Sequence, residues 1–417
     1  MDRALLQKLF ELAVERAQPA LAVAQFLPDP PKGKTIVIGA GKASAQMARA
    51  LEKAWPGELS GLVVTRYGYA EKCERIEIIE AAHPVPDHAG FIAAQRLQQL
   101  VSGLSEDDLV IALISGGGSA LLPAPANGLS LEDEQAINRA LLASGAPIGV
   151  MNLIRNQFSI LKGGRLAALA APARVATLVV SDVPGDDPSL VASGPTLPIA
   201  GDRAEARRLA GLYRLALPDA AQRLLEGEDN LAPRADDPKF AGNSVATIAS
   251  AALSLQSAAD HARSIGIGAA ILSDSIEGEA RDVALVHAAI AREVRMRDQP
   301  FAKPVVILSG GETTVALRGQ GRGGRNGEFL LSLAIALDGV EGVTALAGDT
   351  DGIDGSEDNA GAFVDGTSAR RMREAGIDPQ AALADNDAYG AFEAIGDLFV
   401  TGPTGTNVND FRAVLVR

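Results

Sequence analysis

The chain alternates short apolar runs with longer stretches in which apolar residues recur every three to four positions. Uninterrupted apolar runs predict buried strands, and the three-to-four spacing predicts amphipathic helices. In the first half the predicted strands are 35–38, 61–65, 76–79, 108–114 and 175–181, and the predicted helices are 1–25, 43–55, 90–100 and 131–171, the last interrupted near 145–147. This alternation predicts a mostly parallel sheet with helices on its faces.

A polar, acidic and proline-containing segment, 227–239, predicts a linker. Beyond it the pattern predicts a long Ala/Ser-rich helix, strands at 268–272, 304–308 and 344–347, and helices at 279–297 and 329–337. The 417 residues exceed the size at which one hydrophobic core stops growing, about 250–300 residues. We therefore predict an α/β fold of two domains, 1–235 and 236–417, with mostly parallel sheets and with the N-terminal residues, up to about position 25, packed on the C-terminal domain.

Two of the predicted strands, 108–114 and 304–308, stop at a Ser-Gly-Gly sequence. In open α/β sheets, ligands bind beyond the carboxyl ends of strands. Most of the glycine-rich and acidic loops of this chain follow a predicted strand. We therefore expect the active-site cleft to lie between the two domains.

The charge and composition of the chain argue against several classes of binding partner and site. The formal net charge is −14, which argues against binding to a nucleic-acid backbone or to anionic membranes. The single cysteine, Cys73, cannot form an internal disulfide, and the four histidines show no zinc-binding spacing with it. The N-terminal segment carries charges throughout, and no stretch of about 20 consecutive residues is apolar. We expect a cytoplasmic protein without nucleic-acid or membrane partners.

Gly39, Gly41, Lys42 and Ser44 lie where a predicted strand turns into a predicted helix. Free amides and the helix dipole at such a position favour an anion, so the loop predicts a phosphate-binding site beside Lys42. It is not a Walker A loop, because Ala43 follows the lysine. The dinucleotide fingerprint is also incomplete, because Ser44 replaces the last glycine. A tight turn with a solvated lysine is the structural alternative.

A second loop offers consecutive small residues, Ser115, Gly116, Gly117, Gly118 and Ser119. Up to five successive N–H groups without large side chains can surround a phosphate. Three successive glycines cost backbone entropy on folding, which disfavours a purely structural turn without excluding it. We predict that these five residues bind phosphate or substrate.

Arg322 and Arg325 lie in a glycine-rich stretch shortly before a predicted helix. Arginine guanidinium groups suit bidentate recognition of phosphate or carboxylate. A flexible, solvated loop is the alternative, especially for Arg322. Arg325 is the stronger candidate because it is nearer the helix.

Acidic residues cluster after several of the predicted strands. Asp349 and Asp351 follow strand 344–347, and Glu312 follows the second Ser-Gly-Gly sequence. Carboxylates in such positions suit Mg²⁺ that is shared with substrate phosphates, so we predict these three as metal ligands. Solvated acidic turns are the alternative.

Three further polar residues complete the predicted site. Asp182 and Asp187 follow strand 175–181, where one of them could orient an attacking hydroxyl group. His83 lies in a proline-flanked loop, where a substrate contact and a structural hydrogen bond are equal alternatives. No Ser/His/Asp or Cys/His set stands out, which disfavours covalent hydrolysis.

These motifs resemble those of the bacterial glycerate 2-kinases that carry a C-terminal MOFRL domain. The matching segments run in order from residue 39 to residue 411: GAGKAS, HPVPDHAG, LISGGGSALL, LKGGRLA, SDVPGDDPSLVASGPT, LSGGETTVALRGQGRGGRN, GDTDGIDGSEDNAGAFVDG and TGPTGTNVNDF. The resemblance therefore extends over nearly the whole chain. Some members of this family have also been named hydroxypyruvate reductase.

The resemblance implies a Rossmann-like N-terminal domain, a C-terminal MOFRL domain, and ATP-dependent phosphorylation of D-glycerate at its 2-hydroxyl group with Mg²⁺. The functionally implicated lysine and arginine of the family match Lys42 and Arg325. Two positions depart from the family pattern. Where the family usually has V-R-K-H-L-S, this chain has Asn156 and Gln157 in place of Lys and His, and Gly327 replaces the glutamine that usually follows GGRN.

Two other functions compete with the kinase. An NAD(P)H-dependent hydroxypyruvate reductase would use the loop at residues 39–44 as a dinucleotide turn, but the acidic loops would then have no role. A sensor would bind a nucleotide or sugar phosphate without catalysis. For the kinase, the expected partners are D-glycerate and ATP, and a homodimer is left open.

Overall fold

The computed structural model describes residues 2–417, which divide into two compact units. The N-terminal unit is Pro19–Ile248. The C-terminal unit combines residues 249–417 with the N-terminal helix α1 (Asp2–Arg16). The division falls after Ile248, later than the expected residue 235. Within residues 2–417, no helix is long and apolar enough to cross a membrane.

A six-stranded sheet forms the framework of the N-terminal unit. Its strands are β1 (Thr35–Ala40), β2 (Ser60–Arg66), β3 (Ile76–Ala81), β4 (Leu109–Ser115), β5 (Arg174–Val180) and β6 (Ser244–Ala249). Their order is β3-β2-β1-β4-β5-β6, and the ladders from β3 through β5 are parallel. The predicted mostly parallel, Rossmann-like sheet is confirmed for this unit.

Helices make up the rest of the regular structure of this unit. They are α2 (Pro19–Gln25), α3 (Ser44–Ala54), α4 (His88–Val101), α5 (Gly118–Leu121), α6 (Leu131–Ala143), α7 (Ile148–Gln157), α8 (Arg165–Ala170), α9 (Arg203–Leu212) and α10 (Asp219–Glu226), with 3₁₀ turns at Pro184–Asp186, Val191–Ser193 and Pro238–Phe240. Apolar side chains of α4 and α8 join those of the central strands in one core. Strand β4 is buried at every position, as expected for a parallel strand covered on both faces.

The segment predicted as a linker is anchored to the N-terminal unit instead. The Asn230 amide nitrogen donates to the carbonyl oxygens of Gln157 and Ser159 at 3.1 and 3.0 Å. The Arg203 guanidinium donates to the carbonyl oxygens of Gly227 and Asn230 at 2.9 and 3.1 Å. Strand β6, which the sequence pattern did not predict, follows this segment before the expected Ala/Ser-rich helix.

The C-terminal unit contains a second six-stranded sheet. Its strands are β7 (Gly268–Glu279), β8 (Val305–Thr314), β9 (Val343–Asp349), β10 (Gly361–Asp365), β11 (Leu398–Phe399) and β12 (Asp410–Val416), and its remaining helices are α11 (Ala251–Ser264), α12 (Ala280–Arg297), α13 (Arg325–Ala336), α14 (Ser368–Glu374), α15 (Pro379–Ala384) and α16 (Ala388–Ala394). The strand order is β11-β10-β9-β12-β8-β7.

The prediction of a mostly parallel sheet is wrong for the C-terminal unit. The β7–β8 ladder is parallel, whereas the ladders that join β8, β12, β9, β10 and β11 are antiparallel. A loop without a crossover helix joins β9 to β10, so the two strands pair in opposite directions. The last strand, β12, then inserts between β8 and β9. The α/β class is nevertheless confirmed, because helices and strands of this unit share one core.

The second Ser-Gly-Gly sequence is part of a strand and not a loop, contrary to the prediction. Strand β8 continues through Ser309, Gly310 and Gly311 to Thr314. Gly311 has φ of +119°, and a side chain there would collide with the backbone of Ile276 on β7. The glycines therefore permit close approach between strands.

Helix α1 packs on the C-terminal sheet through its apolar face. Leu6, Leu9 and Phe10 are buried beside residues of α11 and β12. The Phe10 ring makes edge-to-face contacts with Phe399 and Phe411, at centroid distances of 5.0 and 5.7 Å. Aromatic burial of this kind fixes the chain's first helix to its last strands.

Replacing Phe10 with alanine should destabilise the C-terminal unit by about 3–5 kcal/mol, because it leaves a cavity beside the rings of Phe399 and Phe411. Urea unfolding followed by far-UV circular dichroism measures the loss. Lys8→Ala, on the exposed face of α1, is the matched control. The packing described for α1 is contradicted if the two variants unfold at the same urea concentration, or if only the fluorescence of Trp55, in the N-terminal unit, changes its transition.

Candidate active site

Two loops of the N-terminal unit meet where the strand order reverses. Strands β1 and β4 pair in register up to Ala40 and Ile114, so the loops that follow them are neighbours. Gly41 has φ of +142°, and a side chain there would collide with Ser115. Gly39, within β1, packs equally closely on the backbone of β4. Only glycine permits both the backbone angle of Gly41 and the close approach.

The backbone amides of the first loop are used inside the protein, which contradicts their predicted role as an anion site. Each N–H from Gly41 to Ser44 donates a hydrogen bond, with N···O distances between 2.9 and 3.3 Å. The acceptors are the carbonyl oxygens of Val64, Gly116 and Gly41 and the hydroxyl oxygen of Ser115. The prediction failed because the amides that a phosphate would have used form hydrogen bonds within the protein, including bonds to the neighbouring loop at residues 115–116.

The hydroxyl groups of Ser44 and Ser115 are likewise used in this junction. Ser44 donates to the carbonyl oxygen of Leu113 at 2.9 Å, and the two hydroxyl oxygens are 3.0 Å apart. Since the Ser44 proton goes to Leu113, Ser115 must donate to Ser44. These two serines therefore tie the loops together, and neither has a proton left for a ligand.

Lys42 and His83 approach each other over Gly117. A side chain at Gly117, where φ is +79°, would lie 3.2 Å from the His83 ring and 3.3 Å from Cε of Lys42. Both side chains are half-buried. Among residues 2–417, no carboxylate forms an ion pair with Lys42. The lysine therefore offers an uncompensated positive charge beside the glycine loop.

His83 is neutral at neutral pH. Burial lowers the pKa of His83 to about 4, and the positive charges of Lys42 and Arg66 act in the same direction. The neutral imidazole has one donor and one acceptor nitrogen. It can therefore form hydrogen bonds with a ligand, but it adds no charge.

The second loop keeps its amides available. In the described part of the chain, the N–H groups of Gly117, Gly118 and Ser119 donate to no acceptor. The Asp182 carboxylate packs directly on Gly116, whose missing side chain makes room for it. Lys42, His83, the glycine loop and Asp182 are thus brought together, as the sequence motifs suggested.

Asp187 lies apart from this group. It is exposed, and its carboxylate accepts hydrogen bonds from the Ser189 amide and hydroxyl at 2.9 and 2.7 Å. The side chain therefore closes its own turn. Of the two acidic residues that were predicted to follow β5 in the site, Asp182 is the one placed against the glycine loop.

A buried polar network extends from Ser119. The Ser119 and Ser193 hydroxyl oxygens are 2.9 Å apart. Ser193 also contacts Asn152 and Arg155, and Arg155 donates to Asn138 at 2.8 Å. Arg155 is nine-tenths buried, yet no carboxylate forms an ion pair with it in residues 2–417. Burial lowers the pKa of Arg155 to about 10, so the guanidinium remains charged at neutral pH.

Arg325 is the centre of a separate cluster in the C-terminal unit. It is the first residue of α13, and each of its nitrogens donates to a different carboxylate. The partners are Asp410 at 2.7 Å, Asp349 at 2.6 Å and Glu312 at 3.0 Å. Burial opposes the charge of Arg325, but the three carboxylates outweigh it and raise the pKa of the guanidinium. Glu312 is the exposed member of the set.

Carboxyl groups outnumber guanidinium groups in this cluster. Asp410 also pairs with the buried Arg412, and Asp354 accepts hydrogen bonds from the amides of Asn326 and Gly327 at 2.9 and 2.7 Å. Burial raises the pKa of Asp354 to about 6. Burial also raises the pKa of Asp349, and the nearby carboxylates add to this effect. The surplus negative charge attracts cations.

The predicted metal ligands are only partly assembled. Asp349 and Glu312 both contact Arg325, whereas Asp351 accepts from the Ile353 amide at 2.8 Å and from Asn407 at 3.3 Å. Within the described residues, no three acidic, histidine or cysteine side chains are arranged to hold a metal ion. Mg²⁺ often uses one or two carboxylates together with substrate phosphates, so these ligands stay a prediction.

Arg322 lies outside the Arg325 cluster. It is exposed, it pairs with Glu393 at 3.1 Å and Glu357 at 3.6 Å, and its guanidinium stacks on Tyr389. These contacts hold the side chain on the surface of α16. The structure thus separates the two arginines that the sequence placed three residues apart.

Reasoning from the sequence missed several residues of these clusters. Asp410, Asp354 and Asn326 surround Arg325, although all three lie in the segments that carry the family resemblance. Asn152 and Ser193 lie beneath the glycine loop. Asp410 could have been recognised as an acidic residue that opens an apolar strand.

Comparison with known proteins identifies the family. Residues 5–226 match a domain of unknown function, DUF4147, and residues 305–410 match the MOFRL family. The D-glycerate 2-kinase of Thermotoga maritima is 39% identical over 98% of this chain and 97% of its own length. The chain belongs to the glycerate 2-kinase family.

Two further relatives are similar to this chain over nearly their whole length. The crystal structure of glycerate kinase from Thermotoga maritima superposes with a TM-score of 0.91 at 37% identity and covers 99% of both chains. A protein of Agrobacterium vitis named "Putative hydroxypyruvate reductase" is 52% identical over 99% of this chain and 94% of its own length. The chain is thus similar both to glycerate 2-kinases and to a protein that is named a putative reductase.

Lys42→Ala should raise the pKa of His83 above about 4, because it removes a positive charge while leaving most of the burial in place. Titration of the imidazole protons by NMR measures this shift. Lys53→Ala, an exposed position on α3, is the matched control and should leave the His83 titration unchanged. Equal titration curves for all three proteins would show that Lys42 and His83 are not neighbours.

Arg325→Ala should destabilise the C-terminal unit by about 3 kcal/mol, because buried carboxylates lose their counter-charge. Arg325→Lys keeps one positive charge and should lose less. Arg322→Ala removes exposed ion pairs and a surface stacking contact with Tyr389, and should change stability by about 1 kcal/mol or less. Urea unfolding monitored by circular dichroism ranks the three variants, and a different order would contradict the charge network described for Arg325.

Proposed function

We propose that the protein transfers the γ-phosphoryl group of ATP to the 2-hydroxyl group of D-glycerate, giving 2-phospho-D-glycerate and ADP. The observation that carries this proposal is the full-length similarity to glycerate 2-kinases, combined with an unpaired Lys42 at the point where the strand order reverses. In the proposal the enzyme acts in the cytoplasm, with D-glycerate and ATP as small-molecule partners, and a homodimer is left open.

Lys42 supplies positive charge to the transferring phosphoryl group. Phosphoryl transfer passes through a loose transition state, so an enzyme accelerates it mainly by positioning and by charge stabilisation. The ammonium group carries no competing ion pair in residues 2–417, so its charge is available for a ligand. The amides of Gly117 and Gly118 add dipoles that favour the same anionic group.

Arg325 and its carboxylates form a separate charged site in the C-terminal unit, which we propose also serves phosphate and metal binding. An incoming phosphate can reach Arg325 most easily by displacing Glu312, the exposed partner. Glu312 and Asp349 would then be the residues to hold Mg²⁺, and this ion when bound neutralises phosphate oxygens. The acidic surplus around Arg325 supports a divalent cation rather than a phosphate alone.

His83 and Asp182 are assigned to the acceptor substrate. With its pKa near 4, His83 is a weak base at neutral pH and acts through hydrogen bonds. Asp182, packed on Gly116, orients the attacking hydroxyl group in this proposal. The exposed Asp187 is less suited to the role, because it lies apart from the glycine loop and its carboxylate closes its own turn.

The structure of the first loop, residues 39–44, does not favour the reductase alternative. A dinucleotide pyrophosphate binds to free amides at the start of the first helix. Here the amides of residues 41–44 donate to protein acceptors, so they are not available to a pyrophosphate. Oxidation of NADH by hydroxypyruvate in the presence of the purified protein would favour the reductase.

Lys42→Ala should lower kcat for D-glycerate-dependent ADP release by about 100- to 1,000-fold, because the transition-state charge loses its main partner. A coupled ADP assay measures the rate, and analysis of the product identifies the phosphorylated oxygen. Lys53→Ala should retain wild-type activity. Near-normal activity of Lys42→Ala would reject the role of Lys42, and absence of ADP formation by the wild-type protein would reject the kinase.

A further inference from the structure

The network beneath the second loop has one allowed direction of hydrogen bonding, which begins at Arg155. The guanidinium can only donate, and its Nη1 lies 2.7 Å from Oδ1 of Asn152. At its other end, the Asn152 amide nitrogen donates to the carbonyl oxygen of Leu190 at 2.9 Å. Both contacts require the same orientation of the Asn152 amide, with Oδ1 as the acceptor.

The orientation of the Asn152 amide in turn fixes the hydrogen bonds of Ser193. Its hydroxyl oxygen is 2.9 Å from Oδ1 of Asn152, which only accepts, so Ser193 must give its single proton to Asn152. Nη1 of Arg155, 3.4 Å from the same hydroxyl oxygen, can only donate to it. Ser193 therefore has no proton left for Ser119. In the 2.9 Å contact between the two serines, Ser119 is the donor.

The backbone at Ser193 supports a fixed arrangement. Ala192, Ser193 and Gly194 have φ values of +53°, +60° and +56°. Left-handed conformations of non-glycine residues cost energy and persist where the surrounding structure determines them. Ala192 packs against Gly118, so the strained turn is held directly against the second loop.

Ser119 therefore presents only lone pairs to a ligand. An oxygen that cannot donate repels a phosphate or carboxylate oxygen, but it accepts a hydrogen bond from a hydroxyl group. We propose that Ser119 accepts a hydrogen bond from a hydroxyl group of the acceptor substrate, and that Ser193 is a positioning residue that fixes this role. The inference rests on the proposed function, which makes the acceptor a hydroxy acid. It assigns to the Ser119 side chain a role that the sequence did not predict, since the sequence pointed only to the N–H groups of residues 115–119.

Steady-state kinetics of the full-length protein test the proposal. The variants are Ser119→Ala, Ser193→Ala, the double variant, and Ser102→Ala as an exposed serine control in the same unit. KM is measured for D-glycerate and for ATP. Inhibition constants are measured for 3-hydroxypropanoate and D-2-hydroxypropanoate, each of which lacks one hydroxyl group of glycerate.

Ser119→Ala should raise KM for D-glycerate about 5- to 10-fold, the size of one lost hydrogen bond, and leave KM for ATP unchanged. The inhibitor that lacks the contacted hydroxyl should bind both proteins equally, and the other inhibitor should bind the variant more weakly. Ser193→Ala should raise KM for D-glycerate in the wild-type background and have no further effect in the Ser119→Ala background. An unchanged KM for ATP also shows that the variants are folded.

Two results would overturn the proposal. A rise in KM for ATP without a change for D-glycerate would mean that Ser119 donates to a phosphate, and unchanged constants for every ligand would mean that Ser119 contacts none. Failure of the proposed function is separately recognisable, because the wild-type protein would then form no ADP with D-glycerate.

Discussion

The junction between the loops that follow β1 and β4 is the constraint on which the N-terminal site depends. Gly41 lies against Ser115, and the amides of residues 41–44 satisfy acceptors inside the protein. Buried amides must find partners, and here the partners are in the chain itself. The amides of this loop are therefore not free to bind an anion, and in the proposed function the positive charge of Lys42 takes that role. A side-chain charge can follow a phosphoryl group as it moves, which a rigid set of amides cannot.

The hydrophobic pattern of the sequence predicted those strands whose burial is visible in their own residues. The strands at residues 35–40 and 109–115 are apolar because both faces of the sheet are covered, and this is visible in the sequence alone. The antiparallel C-terminal sheet was missed because its order depends on where β12, the last strand of the chain, inserts. The sequence of residues 410–416 does not by itself indicate that this strand pairs with both β8 and β9. Pairing over such sequence distances is decided by the whole core.

The same distinction applies to the candidate site. Lys42, the glycine loop and Arg325 could be predicted because glycine and charge in loops after strands are local signals. The use of the Ser44 and Ser115 hydroxyls could not be predicted, since these residues are 71 positions apart and their contact depends on the register between β1 and β4. Asp410 was missed for the same reason, because it reaches Arg325 from a distant strand. Residue type therefore predicted which side chains could bind a ligand. The register between strands determined which of those side chains already form hydrogen bonds or ion pairs within the protein.

Two of the departures from the family pattern, Asn156 and Gln157, lie next to Arg155, where the hydrogen-bond network that leads to Ser119 begins. Gln157 accepts from Arg203 at 3.3 Å, and the amide of the fully buried Asn156 has no hydrogen-bond partner in residues 2–417. Neither side chain contributes a bond to the path from Arg155 through Asn152 and Ser193 to Ser119. Arg155, the one member of that path that can only donate, is retained. Replacement of the usual lysine and histidine therefore changes the charge near the network without reversing the direction of its hydrogen bonds. In the role proposed for Ser119, that direction is what makes its hydroxyl oxygen an acceptor for the substrate.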